Sequence, residues 1–233
     1  MTHLLGRALA TLVAVALVPA WLPAPAAAQP PEADYSSFFA GDALEGAAWR
    51  ACAAGGTARV GPRTTGAAAR TRAGARQRRD LEVWSLHSGI PVRFAGRERL
   101  TYDNTSYLLR ASGEGPTPAR HIYIGFYGAR EVAGLSGNVV GLARPTSVLT
   151  SEREVVSGMA VFRRGYVLRE QKAEPRHLTH LYLHELGHVF GLGHASSEVN
   201  VMYPSLGTLT DLGPGDRAGA ATFTHPCPVT STM

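Results

Sequence analysis

Eleven residues, HELGHVFGLGH at positions 184–194, concentrate side chains that can bind a metal ion and move a proton. His184 and His188 are four residues apart, so on a helix their rings lie on the same face, one above the other. Two imidazoles placed in this way can bind one zinc ion at about 2.0–2.1 Å each. Glu185 is offset by one step around the helix, so it can face the open side of the ion without binding it. That is the position of a general base.

The glycines of this stretch decide whether a third histidine can join the first two. Gly191 follows His188 by three residues, where a helix can end in the left-handed conformation that glycine adopts at low cost. On a continuous helix, His194 would lie about 9 Å further along the axis than His188, at ~1.5 Å per residue. A turn at Gly191, with further freedom at Gly193, can instead bring His194 back to the same ion. The pattern therefore favours a three-histidine site over histidines that merely cap a core helix.

Three protein ligands leave one position of a zinc ion open for water, as in catalytic sites. We therefore predict one catalytic zinc ion and a zinc-activated water, with Glu185 as the general base. A structural zinc ion would have four protein ligands, and no cysteine lies near the motif. His177 and His180 precede the motif on the same predicted helix, and we expect them to have a structural or surface role.

A methionine-containing segment, VMYPS, places Met202 eight residues after His194. The histidine motif followed by MYP resembles the metzincin zinc peptidases, whose pattern is H-E-x-x-H-x-x-G-x-x-H with a methionine turn. The MYP form is most similar to the matrixin branch. The resemblance implies that Met202 forms an apolar floor under the histidines. It also implies that Tyr203 and Pro204 begin a loop, extending to about Asp211, that shapes the pocket for substrate specificity.

The remaining elements indicate an α+β fold. Strands are predicted at 57–60, 90–96, 121–128, 138–143 and 158–168, and helices at 66–89, 175–190 and 212–223. By resemblance these elements form a metzincin-like catalytic domain over residues 46–228. Such a domain has a twisted mixed β-sheet with one antiparallel edge strand, a zinc-binding active-site helix and a C-terminal helix. An extended peptide would lie along the edge strand, for which 138–143 is the candidate.

The resemblance implies a secreted zinc-dependent endopeptidase that hydrolyses peptide bonds in a protein or peptide substrate. The alternative is a secreted metzincin-like binding protein with little or no catalysis, against which the intact Glu185 argues. Calcium sites also occur in this family, but with six aspartates in the whole chain the sequence does not support Ca2+ here. We expect a monomer with no nucleic-acid partner and no stable membrane anchor.

The first 28 residues have the order of a secretory signal: a positive charge at Arg7, an apolar run, and small residues up to Ala28. The apolar run is short for a membrane span, so we expect cleavage after Ala28 and an extracellular location. Residues 29–45 are then a linker or short pro-stretch, and residues 229–233 a tail.

Two cysteines, Cys52 and Cys227, are consistent with a disulfide in an exported chain, joining the start of the domain to its end. The alternative, that Cys52 is a zinc-blocking thiol of an inhibitory pro-segment, has no supporting motif around it.

The formal net charge of +5 is concentrated in residues 58–80, which carry seven arginines and one aspartate. No aromatic residue is interleaved there, so a solvated helix face is favoured over a surface that binds nucleic acid or another anion.

Overall fold

The computed structural model describes residues 34–38, 40–41, 47–50, 56–60, 67–97, 99–111, 121–147 and 154–225. The predicted signal segment, the predicted tail and both cysteines lie outside these residues. The pairing of Cys52 with Cys227 and cleavage after Ala28 therefore stay predictions.

Within the described residues the chain forms nine strands and four helices, which confirms the α+β class. In chain order they are β1 Ala48–Arg50, β2 Gly56–Val60, α1 Ala67–Ser88, β3 Val92–Arg97, β4 Leu100–Asp103, β5 Leu108–Ala111, β6 His121–Tyr127, β7 Gly141–Ser147, β8 Glu154–Arg163, α2 Arg164–Ala173, α3 Pro175–Val189, α4 Pro214–Thr222 and β9 Thr224–His225.

Seven strands form one mixed sheet in the order β3-β2-β6-β8-β1-β9, with β7 paired to β8. Strands β3, β2, β6 and β8 run parallel to their neighbours, whereas β7 runs antiparallel to β8. In the part of the chain that the structure describes, β7 pairs with β8 alone, so it is the antiparallel edge strand that the resemblance implied. It begins at Gly141, three residues later than predicted, and continues to Ser147.

The central strands β6 and β8 are buried on both faces, so their side chains alternate between two apolar clusters. From β6, Ile122, Ile124 and Phe126 pack into the cluster shared with the helices. Tyr123 and Tyr127 pack on the opposite face, against residues of the β4–β5 hairpin. The hairpin lies in a region where we predicted no regular structure. It covers the face of the sheet that the helices leave open.

The prediction of a strand over 158–168 is wrong in its second half, because β8 ends at Arg163 and α2 begins at the next residue. The residues Tyr-Val-Leu that suggested a strand have high β-propensity, but packing overrides it. Tyr166, Val167 and Glu170 are spaced so that one face of a helix is buried, and this face packs beside α3.

Two tryptophans hold α3 in place through its main-chain carbonyls. Trp84 of α1 donates its indole N–H to the Leu183 carbonyl at 2.9 Å, and its ring stacks on Phe190 at 5.8 Å. Trp49 of β1 donates to the Val189 carbonyl at 2.8 Å. Carbonyls in the last turn of a helix have no partner within the helix, so the Trp49 bond also satisfies the end of α3.

The described residues of the arginine-rich segment lie on β2 and α1, and among their described side chains Arg76 and Arg78 make contacts within the domain. Arg76 donates to the Thr179 hydroxyl at 2.7 Å and also to the Pro175 carbonyl, and Arg78 lies over the Phe94 ring at 5.1 Å.

None of the helices in the described ranges has the length and apolar character needed to cross a membrane.

Candidate active site

Helix α3 ends where the sequence pattern predicts. Gly191 has a φ of +97°, in the left-handed region. Its N–H donates to the His188 carbonyl at 3.1 Å, and the N–H of Leu192 donates to the Gly187 carbonyl at 3.0 Å. These two bonds form a Schellman motif, which closes the helix and reverses the chain. The predicted turn at Gly191 is therefore present.

The reversal brings the three histidines together. Their ring centroids are 4.8 Å apart for His184 and His188, 5.3 Å for His184 and His194, and 4.9 Å for His188 and His194. One potential ligand atom from each residue lies within 4.8 Å of the others. Three imidazole nitrogens in a cluster of this size suit a divalent metal ion such as zinc.

Two of the rings are fixed by hydrogen bonds from Nδ1. His184 bonds to the Val201 carbonyl at 2.7 Å, and His188 bonds to the Leu192 carbonyl at 2.8 Å. A carbonyl only accepts, so Nδ1 carries the hydrogen and Nε2 keeps a free lone pair. Burial lowers the pKa of His184 to about 3 and that of His188 to about 4. Both rings are therefore in the neutral form that binds metals.

Glu185 lies beside the cluster and is 6% exposed. Burial raises the pKa of its carboxyl to about 8. Its side chain packs directly on Gly141, the first residue of β7, where an added Cβ atom would lie 2.3 Å from Glu185 Oε1. Only glycine leaves room for the carboxyl at this point. Sequence reasoning did not single out Gly141.

A cleft of about 610 Å³ opens over these groups and runs along the start of β7. Of the predicted loop residues, Pro204 lines the cleft and Tyr203 does not, while Leu206 joins it from the same loop. The lining comprises Phe38, Asn138, Val139, Val140, Gly141, Leu142, Ala143, Leu181, His184, Glu185, His188, Gly193, His194, Pro204 and Leu206.

Met202 packs against α3 at Gly187, which lies between His184 and His188 along the helix. A Cβ atom added at Gly187 would lie 2.2 Å from the Met202 sulfur and 2.8 Å from the Trp84 ring. Met202 is 1% exposed, and its carbonyl accepts from the Ala195 N–H at 2.9 Å. The methionine thus packs on α3 at Gly187, and its main chain supports Ala195, the residue that follows His194. Its role as a floor under the histidines stays a prediction.

Asp216 holds this methionine turn from the side of α4. Its carboxyl accepts from the N–H groups of Val201, Met202 and Gly213, at 2.7, 3.2 and 2.7 Å. Sequence reasoning missed this residue. The available signal was its position as the third residue of a helix that follows Gly213 and starts with Pro214, where an acidic side chain often reaches back to the helix start.

The other two histidines of α3 lie outside the cluster. His177 Nδ1 is 3.1 Å from Glu170 Oε2 and links α3 to α2. His180 is buried, and its Nδ1 accepts from the Leu209 N–H at 3.2 Å. His180 therefore anchors the loop that follows Met202, in line with the structural role expected for it.

Residues 34–38, which we name the N-terminal strap, also reach the site. The Phe38 ring lines the cleft and lies edge-on to the His188 ring at 5.7 Å. The strap falls within the stretch predicted as a linker or short pro-stretch, and sequence reasoning assigned it no part in the site. We found no local pattern in the sequence that marks it.

Three comparisons with known proteins bear on the family of this chain. Comparison with curated proteins finds no match. The crystal structure of archaemetzincin from Methanopyrus kandleri is similar, with 21% sequence identity and a TM-score of 0.39, over 74% of this chain and 88% of that chain. The family model described as Matrixin matches residues 93–220, which is more than half of the chain and includes the histidine cluster and the methionine turn. The chain therefore belongs to the matrixin family, and with it to the metzincin type of zinc peptidase.

Proposed function

We propose that this chain is a zinc-dependent endopeptidase, with His184, His188 and His194 as the metal ligands and Glu185 as the general base. The observation that carries the proposal is the convergence of three imidazole donors within 4.8 Å, beside a carboxyl that faces the same cleft. Zinc bound there would supply a Lewis acid that lowers the pKa of water and polarises a carbonyl oxygen.

The protein's own contribution begins with a proton transfer. The Glu185 carboxylate accepts a proton from the attacking water as the water oxygen bonds to the peptide carbonyl carbon. When the carbon–nitrogen bond breaks, the same carboxyl gives the proton to the departing amine nitrogen. Burial against Gly141 keeps the carboxyl poorly solvated, and this raises its pKa toward the range in which one group can both take and return a proton.

The substrate is proposed to be an extended peptide that lies along β7. Among the described residues this strand has one paired edge, and an extended chain can add to the other by main-chain hydrogen bonds. Leu181, Val140 and Leu206 line the cleft near the histidines, so it suits an apolar side chain next to the scissile bond.

Secretion and action as a monomer belong to the same proposal. The order of charged, apolar and small residues at 1–28 supports export. The finer likeness to matrixin-branch enzymes rests on the MYP form of the methionine turn. Ala195 stands where matrixins usually have serine or threonine, next to the third histidine. Since its main-chain N–H bonds to the Met202 carbonyl, this change leaves the support of the turn intact.

The test compares the wild-type chain with Glu185→Gln on casein and on a quenched peptide library, with and without a zinc chelator. We expect chelator-sensitive cleavage by the wild type. Glu185→Gln should keep its zinc and lose nearly all turnover, because an amide cannot accept the proton. Glu198→Gln, which changes an exposed glutamate beyond the cluster, is the matched control and should behave like the wild type.

Two results would go against the proposal. Turnover retained by Glu185→Gln would show that the base has been assigned to the wrong residue. A wild-type chain that binds zinc and cleaves nothing in the library would instead favour the alternative of a metzincin-like binding protein.

A further inference from the structure

The N-terminal strap pairs with the turn that leads into His194. The Phe38 N–H donates to the Gly191 carbonyl at 2.8 Å, and the Gly193 N–H donates to the Ser36 carbonyl at 2.7 Å. Between these bonds, Ser37 and Leu192 form an antiparallel β-bridge. The strap is therefore held on the residues just before His194 by main-chain hydrogen bonds. These bonds do not depend on which side chains the strap carries.

A second set of bonds lies on the other side of His194. The Asp34 carboxylate accepts from the Ser196 N–H at 2.8 Å and from the Ser196 hydroxyl at 2.7 Å. It also accepts from the Ser197 N–H at 2.7 Å and from the Asn200 side-chain amide at 2.9 Å. These bonds, above all that from the Ser196 N–H, hold the pKa of Asp34 below its usual value. The carboxylate is thus ionised at neutral pH and fixes the loop that leaves the site.

His194 lies between these two sets of hydrogen bonds. Its position depends on them more than the positions of the other two histidines do. His184 and His188 are each fixed by a ring hydrogen bond, but among the described residues no hydrogen bond to the His194 ring is present. His194 is also exposed. What is held at His194 is its main chain, because the Ser36 hydroxyl donates to the His194 carbonyl at 2.8 Å.

The contact between strap and turn leaves no spare room. A Cβ atom added at Gly193 would lie 2.4 Å from the Ser36 hydroxyl oxygen and 2.9 Å from the Ser37 carbonyl oxygen. A glycine at 193 is therefore required for the strap to approach as closely as it does. The close fit, the bonds on both sides of His194 and the Phe38 contact with His188 all meet at the histidine cluster.

We propose that the N-terminal strap is a working part of the metal site, in which Asp34 and Ser36 are positioning residues for His194. The strap fixes the main chain on both sides of the third ligand and thereby presents its ring to the ion. This inference rests on the proposed function only in assigning a metal ion to the three histidines. It makes high metal affinity depend on residues about 160 positions away in the sequence.

The experiment uses the full chain, with Zn2+ titrated against a competing chelator and Co2+ as a spectroscopic substitute. Asp34→Ala should weaken Zn2+ binding by about 10–100-fold, the range seen when partners that orient ligands are removed. The visible absorption bands of bound Co2+ should change in shape or intensity, because the third imidazole is displaced. Glu82→Ala, which removes an exposed carboxyl from α1 outside the site, is the matched control and should bind both ions like the wild type.

Ser36 provides a milder second test if Asp34→Ala does not fold. Ser36→Ala should weaken Zn2+ binding by about three- to tenfold, the value of one hydrogen bond, and Ser36→Thr should restore it because the hydroxyl returns. Wild-type affinity and an unchanged Co2+ spectrum in both Asp34→Ala and Ser36→Ala would overturn the inference while leaving the proposed function intact. A wild-type chain that binds neither ion would overturn both.

Discussion

Replacing Gly141 by alanine tests whether the edge strand sets the position of the proposed base. The new Cβ would lie 2.3 Å from Glu185 Oε1 and 2.7 Å from its Cγ, whereas ordinary contacts begin near 3.4 Å. The Glu185 side chain must therefore move by about 1 Å, and the open cleft beside it gives it somewhere to go. A displacement of this size at a reacting group can cost about a hundredfold in rate, or about 2.7 kcal/mol of transition-state stabilisation.

The assay is kcat/KM on a quenched peptide, measured together with zinc content and the thermal unfolding midpoint. We expect Gly141→Ala to lose about a hundredfold in kcat/KM and to keep its zinc. Gly165→Ala is the control, since an added Cβ meets nothing within 4 Å there and alanine favours helix α2. If Gly141→Ala cleaves the peptide within twofold of this control, the contact between β7 and Glu185 does not set the position of the base.

Two further predictions concern Asp80, a buried residue of α1, and His194, the third proposed metal ligand. Asp80 is 1% exposed, its Oδ2 has no hydrogen-bond partner among the described residues, and burial raises its pKa from 3.8 to about 8. The folded protein then loses stability as pH rises from about 4 to about 8, by at most ~1.4 kcal/mol per pH unit. Asp80→Asn should therefore gain stability over the wild type between pH 5 and pH 8 in urea unfolding; a pH-independent difference would argue against a protonated Asp80. His194→Ala should lower zinc content sharply after dialysis, and unchanged zinc would remove it from the ligand set.

The parts of the site that were predictable from the sequence are those encoded locally. His184, Glu185, His188, Gly191 and His194 fall within eleven residues, so helix geometry and one glycine turn suffice to bring them together. The strand 121–128 and the helix 175–190 were also close to their observed bounds, because each has a clear apolar period.

What was missed depends on contacts between distant segments. Asp34 and Ser196 are 162 residues apart, and no spacing rule connects them. The helix α2 was mistaken for strand because its apolar residues favour β-structure in isolation, while burial of Tyr166 and Val167 beside α3 decides otherwise. The close approach of Glu185 to Gly141 likewise depends on how α3 packs against β7, which a single sequence does not reveal.

The carboxyl of Asp216 has a bearing on when during biosynthesis the site can take shape. The amides of Val201 and Met202 find their acceptor in α4, close to the end of the described chain. A nascent polypeptide that has not yet emerged beyond Gly213 lacks Asp216, so the main-chain amides of Val201 and Met202 have no acceptor there. The methionine turn can therefore gain its full set of hydrogen bonds only after α4 has left the ribosome.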